Sequence, residues 1–220
     1  MQIRLDNVGL RFGDRSPLFE GVDLVVESGR FIIIEGASGC GKSSLLRLLN
    51  RLHEPTTGQV LIDGAVARAS DVIDLRRRAV LVPQTPFAGP GTVRDNLLWP
   101  LKFRANRQHL HPTDAALRRH LDSLLLQDVG LEDEARTLSV GQRQRLALMR
   151  ALLLEPEILL CDEPTAALDT VARTVIEARL ESRCAAGCGV VVVTHQGLDV
   201  SAEGVLRVRL QADGLQQVGT

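Results

Sequence analysis

The stretch Gly36-Ala-Ser-Gly-Cys-Gly-Lys-Ser-Ser44 follows the apolar run Phe31-Ile32-Ile33-Ile34 and leads directly into Leu45-Leu46-Arg47-Leu48-Leu49. A short apolar run, a glycine-rich turn and an apolar-periodic segment dictate strand, loop and helix in that order. Gly36, Ala37, Ser38, Gly39, Cys40, Gly41, Lys42 and Ser43 satisfy the pattern G-x-x-x-x-G-K-[ST] of a phosphate-binding loop. Its glycines let backbone N–H groups curl around a phosphate, and the helix that starts at Lys42 adds favourable partial charge. The Lys42 ammonium suits the β- and γ-phosphates, and the Ser43 hydroxyl, followed by Ser44, is placed to reach Mg²⁺. The expectation is a chain that binds a nucleoside triphosphate with Mg²⁺.

Composition narrows the setting. With 26 basic against 27 acidic residues there is no bulk positive field, and no nucleic-acid partner is expected. Hydrophobic residues at 45% and charged residues at 24% are ordinary for a soluble globular protein. No apolar stretch approaches the roughly 20 residues that cross a bilayer, and MQIRLDNVGL lacks the layout of a signal peptide, so a cytoplasmic chain is expected. Cys40, Cys161, Cys184 and Cys188 fit reduced thiols better than a disulfide framework. Cys184-Ala-Ala-Gly-Cys188 lacks a second pair or nearby histidines, and reads as free thiols near a helix end, not as a zinc site.

Along the chain, Ile3-Arg4-Leu5 and Val22-Asp23-Leu24-Val25-Val26 alternate and read as antiparallel strands. Further strands are expected at 31–35, 59–63, 79–83, 158–161 and 190–193, with a β-like ending at 205–210. Helices are expected at 42–52 and from about 168 to 184. Residues 86 to 100 carry Pro86, Gly89, Pro90, Gly91 and Pro100, and 101 to 137 have helical spacing rich in Leu, His and Arg. The reading is one domain over 1–220. Residues 1–85 and 151–220 form an α/β core with an antiparallel N-terminal β subdomain, and about 86–150 form an inserted α-helical subdomain. Apolar strands alternating with helices argue a mainly parallel sheet covered on both faces.

A phosphate-binding loop alone does not separate kinases, GTPases and transport motors. Leu160-Cys161-Asp162-Glu163 adds a strand that ends in two adjacent carboxylates, one for the Mg²⁺ shell and the next beside the γ-phosphate. Just upstream lies Leu138-Ser139-Val140-Gly141-Gln142-Arg143-Gln144-Arg145, followed by Ala147-Leu148-Met149-Arg150-Ala151-Leu152. This segment resembles the LSGGQ signature of the ABC ATPases and the helix that follows it. Gln84 after 80–83, Ala167-Leu168-Asp169 and His195 after 190–194 fall in that family's order, so the resemblance spans Phe12 to His195.

The resemblance implies that two ATPase domains pack head to tail, each ATP held between the phosphate loop of one and the signature of the other. It places Ser139, Gly141 and Gln142, with Asp169 of the D-loop, at the partner's ATP. It makes Glu163 the catalytic base, His195 a γ-phosphate contact, Lys42 and Gln84 catalytic groups, and Ser43, Gln84 and Asp162 the Mg²⁺ ligands. Phe12 stands where the family usually has an adenine-stacking tyrosine, keeping the π-face without the hydroxyl. Val140 replaces the first signature glycine, and its β-branch impairs the site only if that position needs positive φ.

As a transporter's ATP-binding subunit, the chain is expected to move separate polytopic membrane subunits, from the inner face of a bacterial membrane. Thr85 to Pro100 beside the glutamine loop is the expected docking surface, with Phe87 exposed and Trp99 either exposed beside it or packed in the core of the helical lobe. The stretch from Gln84 to Pro100 also resembles a bacterial subgroup of iron-efflux or metal-homeostasis ATPases. The rival is a non-transport ABC ATPase of DNA repair or translation, which would normally carry a coiled-coil insertion, zinc cysteines or a second cassette. His109, His111 and His120 read as exposed residues of a solvated lobe, not as a metal sensor.

Overall fold

The computed structural model of the protein describes residues 1–68, 71–106, 111–195, 197–202 and 204–218. Alternation in the first thirty residues has the expected result. In β1 (Gln2–Leu10) and β2 (Phe19–Glu27), Ile3, Leu5, Val22, Leu24 and Val26 are buried, while Arg4, Asp23 and Val25 face out. These strands pair antiparallel, and β4 (Thr57–Ile62) and β5 (Ala65–Val66) extend the sheet in the order β2-β1-β4-β5.

The second sheet holds β3 (Phe31–Glu35), β6 (Ala79–Val82), β7 (Ile158–Asp162), β8 (Gly189–Thr194), β9 (Leu206–Gln211) and β10 (Gly214–Gln217). Their order is β10-β9-β3-β8-β7-β6, parallel throughout except for β10 against β9. Strands β7 and β8 are buried at every residue, as strands covered on both faces must be. The β-like ending is thus a parallel strand of the main sheet followed by a hairpin partner.

Helices α1 (Lys42–Leu49), α2 (Val72–Arg78) and α6 (Thr170–Ala185) belong to the α/β part. Between β6 and β7 lie α3 (Val93–Leu98), α4 (Asp114–Asp122), α5 (Val140–Leu152) and short 3₁₀ turns. The apolar faces of α3, α4 and α5 share one core with Phe31, Ile33, Leu159, Cys161, Val190 and Val192 of the sheet. On the opposite face, α1 packs with β1, β2, Ile32, Ile34 and Val191.

Helix α1 stops three residues before its expected end. Arg51 takes φ 54°, where a right-handed helix cannot continue, and its guanidinium binds Glu54 and the Ala67 carbonyl. Leu52, which continues the apolar spacing of Leu45, Leu46, Leu48 and Leu49, is consequently 48% exposed. Helix α2 was not expected, because seven residues with Leu75 alone buried show no readable period.

Register decides what the sheet presents at its carboxyl edge. Glu35 lies opposite Thr194, Val193 opposite Asp162, and Cys161 opposite Val82. The segments leaving β3, β7, β8 and β6 therefore emerge side by side: the glycine loop, Glu163, His195 and Gln84. Ligands of parallel α/β sheets bind at this edge.

Candidate active site and its relatives

Helix α1 opens on Gly41 at φ 102°, with no side chain capping its first turn, so its leading N–H groups remain available to an anion. A Cβ at Gly41 would lie 2.9 Å from the Phe19 ring, so both backbone and space require glycine. Lys42 Nζ donates to the carbonyls of Gly36 (2.8 Å) and Ala37 (3.0 Å), bracing the loop across its mouth. The loop faces a cleft of about 370 Å³, within the range of small-molecule sites. Ser38, Gly39, Gly41, Lys42, Ser43, Ser44, Gln84, Asp162, Glu163 and His195 line this cleft, and Leu18 adds an apolar wall.

The two carboxylates occupy different environments. Ser43 Oγ donates to Asp162 Oδ1 at 3.0 Å, tying α1 to the end of β7. Burial pushes the Asp162 carboxyl above its usual range, against the Ser43 hydrogen bond and Arg47, which favour ionisation. A desolvated carboxylate, a hydroxyl and the Gln84 amide are hard oxygen donors that fit a Mg²⁺ completing its shell with phosphate and water. Glu163 follows in left-handed backbone, φ 50°, its N–H bonded to Val193 O at 3.0 Å. A glutamate held there stores about 1–2 kcal/mol of strain. Its Oε1 stands 2.7 Å from His195 Nδ1.

Phe12, Ser139, Gly141, Gln142 and Asp169 are not among the residues lining the cleft. Ser139 is exposed at the N-cap of α5, and its Oγ accepts the Gln142 N–H at 3.2 Å while Gln142 Oε1 accepts the Ser139 N–H at 2.9 Å. Gly141 packs so that a Cβ would meet Ala167 O at 3.2 Å and Leu168 at 3.3 Å, which ties signature and D-loop together. Asp169 caps α6 through the Ala172 N–H at 2.8 Å. Val140 is the first residue of α5, without positive φ, so its β-branch meets no backbone obstacle there. Phe12 is 46% exposed and edge-on to His53, ring centroids 5.3 Å apart.

Phe87 and Trp99 form an exposed aromatic pair, centroids 5.7 Å apart. Phe87 also lines a groove of about 220 Å³ with Pro83, Pro100, Ala147 and Leu154, where β6 meets α5. Cys161, Cys184 and Cys188 are buried free thiols, and burial pushes Cys188 up to about 11. His111 is exposed and His120 half-buried, while His109 lies outside the described residues. No helix among the described residues is long and apolar enough to cross a membrane.

A family model described as ABC transporter matches residues 19–166. The chain belongs to the ABC transporter family. It is 41% identical over 179 residues to Protein STAR1 of Oryza sativa subsp. japonica, covering 81% of this chain and 51% of that protein. It is 35% identical over 214 residues to ABC transporter BEA3 of Gibberella fujikuroi, covering 94% of this chain and 16% of that protein. The chain thus spans about half or less of the length of these curated relatives. Its fold also matches the dimeric ATP-binding cassette MJ0796 in a post-hydrolysis state bound to ADP and Pi, with a TM-score of 0.80, 29% identity and 99% of both chains covered. The cassette is an ATPase with the P-loop fold and helical insert of its family.

One ABC-cassette residue near the site escaped the sequence reading. Gln144, 3% exposed on α5, donates from Nε2 to the backbone carbonyl of Glu163 at 2.7 Å. The bond holds the left-handed backbone of Glu163 from helix α5. Only its place as the fifth residue of an amphipathic helix, where an apolar residue suits the buried face, signalled it. Gln144→Leu leaves that carbonyl without its buried donor, which costs about 1–3 kcal/mol. The expected result is a lower melting temperature and a kcat reduced about tenfold, with ATP affinity within about twofold of the parent. Steady-state kinetics with nucleotide titration check it.

Proposed function

We propose that the chain is the ATP-driven motor of an ABC transporter, working as a head-to-tail pair of cassettes on separate membrane subunits. The observation that carries this reading is the division of the anticipated site. Lys42, Ser43, Gln84, Asp162, Glu163 and His195 share one cleft, while Ser139 and Gly141 are not among its lining residues. A second copy facing the cleft supplies the missing half, through the Ser139 hydroxyl and the N-terminal N–H groups of α5. Gln142 fixes Ser139 there, and Asp169 sets the neighbouring turn. The dimeric state of the similar cassette supports this pairing.

In this reading Lys42 and the loop N–H groups hold the β- and γ-phosphates, and Phe12 lies against adenine. Ser43, Gln84 and Asp162 hold Mg²⁺, which when bound neutralises charge developing on the phosphates. Glu163 accepts a proton from the attacking water as the new P–O bond forms and the bond between γ-phosphorus and the ADP oxygen breaks. His195 orients Glu163 and faces the γ-phosphate. ATP closes the dimer; hydrolysis and loss of phosphate reopen it.

Phe87, Trp99 and the adjoining groove dock the membrane subunit, which keeps the chain peripheral on the cytoplasmic face. The test is co-purification from native membranes, followed by reconstitution with the recovered polytopic protein and transport assays with iron as the first cargo. Recovery with DNA or ribosomes alone overturns the transport reading. Replacing Phe87 and Trp99 by alanine is expected to weaken capture of the membrane partner by about tenfold or more, as loss of an aromatic anchor does. ATPase activity of the isolated chain changes by less than about twofold, since neither residue lines the nucleotide cleft.

A further inference from the structure

A second cleft, of about 190 Å³, lies where α4 and the end of α5 meet α6. Arg179 and Arg183, four residues apart on one face of α6, both line it. The Nε atoms of both are closed off from solvent and lack a hydrogen-bond partner. Neither guanidinium forms an ion pair among the described residues. Other arginines are paired: Arg173 of α6 with Glu177, and Arg118 of α4 with Asp122. Two adjacent forks left without acceptors in a concave site are the donor set for a carboxylate or phosphate group.

The remaining lining selects among anions. Glu155 stands at the rim without pairing to either arginine, and burial, with Arg179 and Arg119, keeps His120 below the usual imidazole range. Two guanidiniums against one carboxylate leave one uncompensated positive charge, which matches a monoanion better than a dianion. Leu124, Met149 and Leu152 supply an apolar wall. The volume lies below the roughly 300–1,000 Å³ of drug-sized pockets, so the guest is small.

We propose that this cleft binds a small amphiphilic monocarboxylate, its carboxylate bridging Arg179 and Arg183 and its short alkyl chain lying on Leu124, Met149 and Leu152. The site is separate from the nucleotide cleft and does not depend on the transport reading.

The chain has two methionines, Met1 and Met149, and Met149 lines the cleft. Methyl-labelled methionine therefore gives one reporter in the site and one outside it. With ADP saturating the nucleotide cleft, titration with hexanoate is expected to move the Met149 resonance saturably and leave Met1 in place. Arg179→Gln with Arg183→Gln weakens hexanoate binding by about tenfold or more, the effect of losing a bidentate charged contact, while ADP binding persists. Glu155→Gln, which keeps both arginines, tightens it severalfold and guards against a double variant that fails to fold. Three results would overturn the proposal: no saturable Met149 shift, equal affinity for neutral hexanol, or binding of inorganic sulfate as tight as hexanoate, which marks a plain inorganic-anion site.

Discussion

Replacing Glu163 by glutamine is expected to leave ATP binding intact and to lower turnover by about 10²- to 10⁴-fold, the range of a positioned general base. The substitution is nearly isosteric. Glu163 is 6% exposed, in left-handed backbone held by Val193 and Gln144, and none of these backbone constraints changes with an amide. Contact with His195 Nδ1 also survives, since an amide oxygen can take the place of Oε1. What disappears is the capacity to accept a proton from water. The variant should therefore bind ATP with parental affinity and accumulate as an ATP-bound dimer, which nucleotide titration, single-turnover hydrolysis and sizing chromatography measure together. Turnover within about tenfold of the parent, in a preparation that binds ATP normally, would sink the assignment of Glu163 as base.

Lys42→Ala is expected to act earlier, on binding. Lys42 Nζ is the cation set within the loop, and it also braces the carbonyls of Gly36 and Ala37. A hydrogen bond to a charged group contributes about 1.5–3 kcal/mol, so ATP affinity should fall about 10- to 100-fold, with turnover falling below detection at ordinary ATP concentrations. Lys42→Met keeps much of the aliphatic stem and removes the charge, separating packing from electrostatics. Equal losses in the two variants assign the effect to the ammonium. Affinity within about twofold of the parent in either variant contradicts the role given to Lys42.

Much of this site was legible because its signals are local. The glycine loop and Asp162-Glu163, which meet in the cleft, each lie within a few residues, and each sits at the end of an element whose apolar pattern is readable. Boundaries were less so. Leu52 continues the apolar spacing of α1, yet Arg51 turns the chain first, because its side chain finds Glu54 and Ala67 once the loop has folded back. His120 was read as exposed. It is half-buried and lines one cleft with Arg179 and Arg183 of α6, a juxtaposition of segments about sixty residues apart that periodicity cannot reveal.

Val140 shows the converse. From sequence its β-branch was a departure whose cost depended on a dihedral angle, and the helix beginning at that residue removes the cost. Gln144 reads as one more polar residue of the signature helix until the fold sets its amide against the Glu163 carbonyl. Arg179 and Arg183 likewise look like two solvated charges of an amphipathic helix. That neither Nε finds a hydrogen-bond partner among the described residues is a property of the packed interface.

By itself, the sequence determined most strands of the two sheets, helices α1 and α6 and the phosphate-binding loop, because these depend on spacing and on backbone preferences within a few residues. Tertiary structure decided which of those residues meet. The parallel register of β3, β8, β7 and β6 brings Lys42, His195, Glu163 and Gln84 to one edge, while Ser139 and Gly141 are not among the residues lining that cleft. The physical reason is that pairing between distant strands is selected by burial of the whole sheet, a sum over both faces that no single stretch of chain contains.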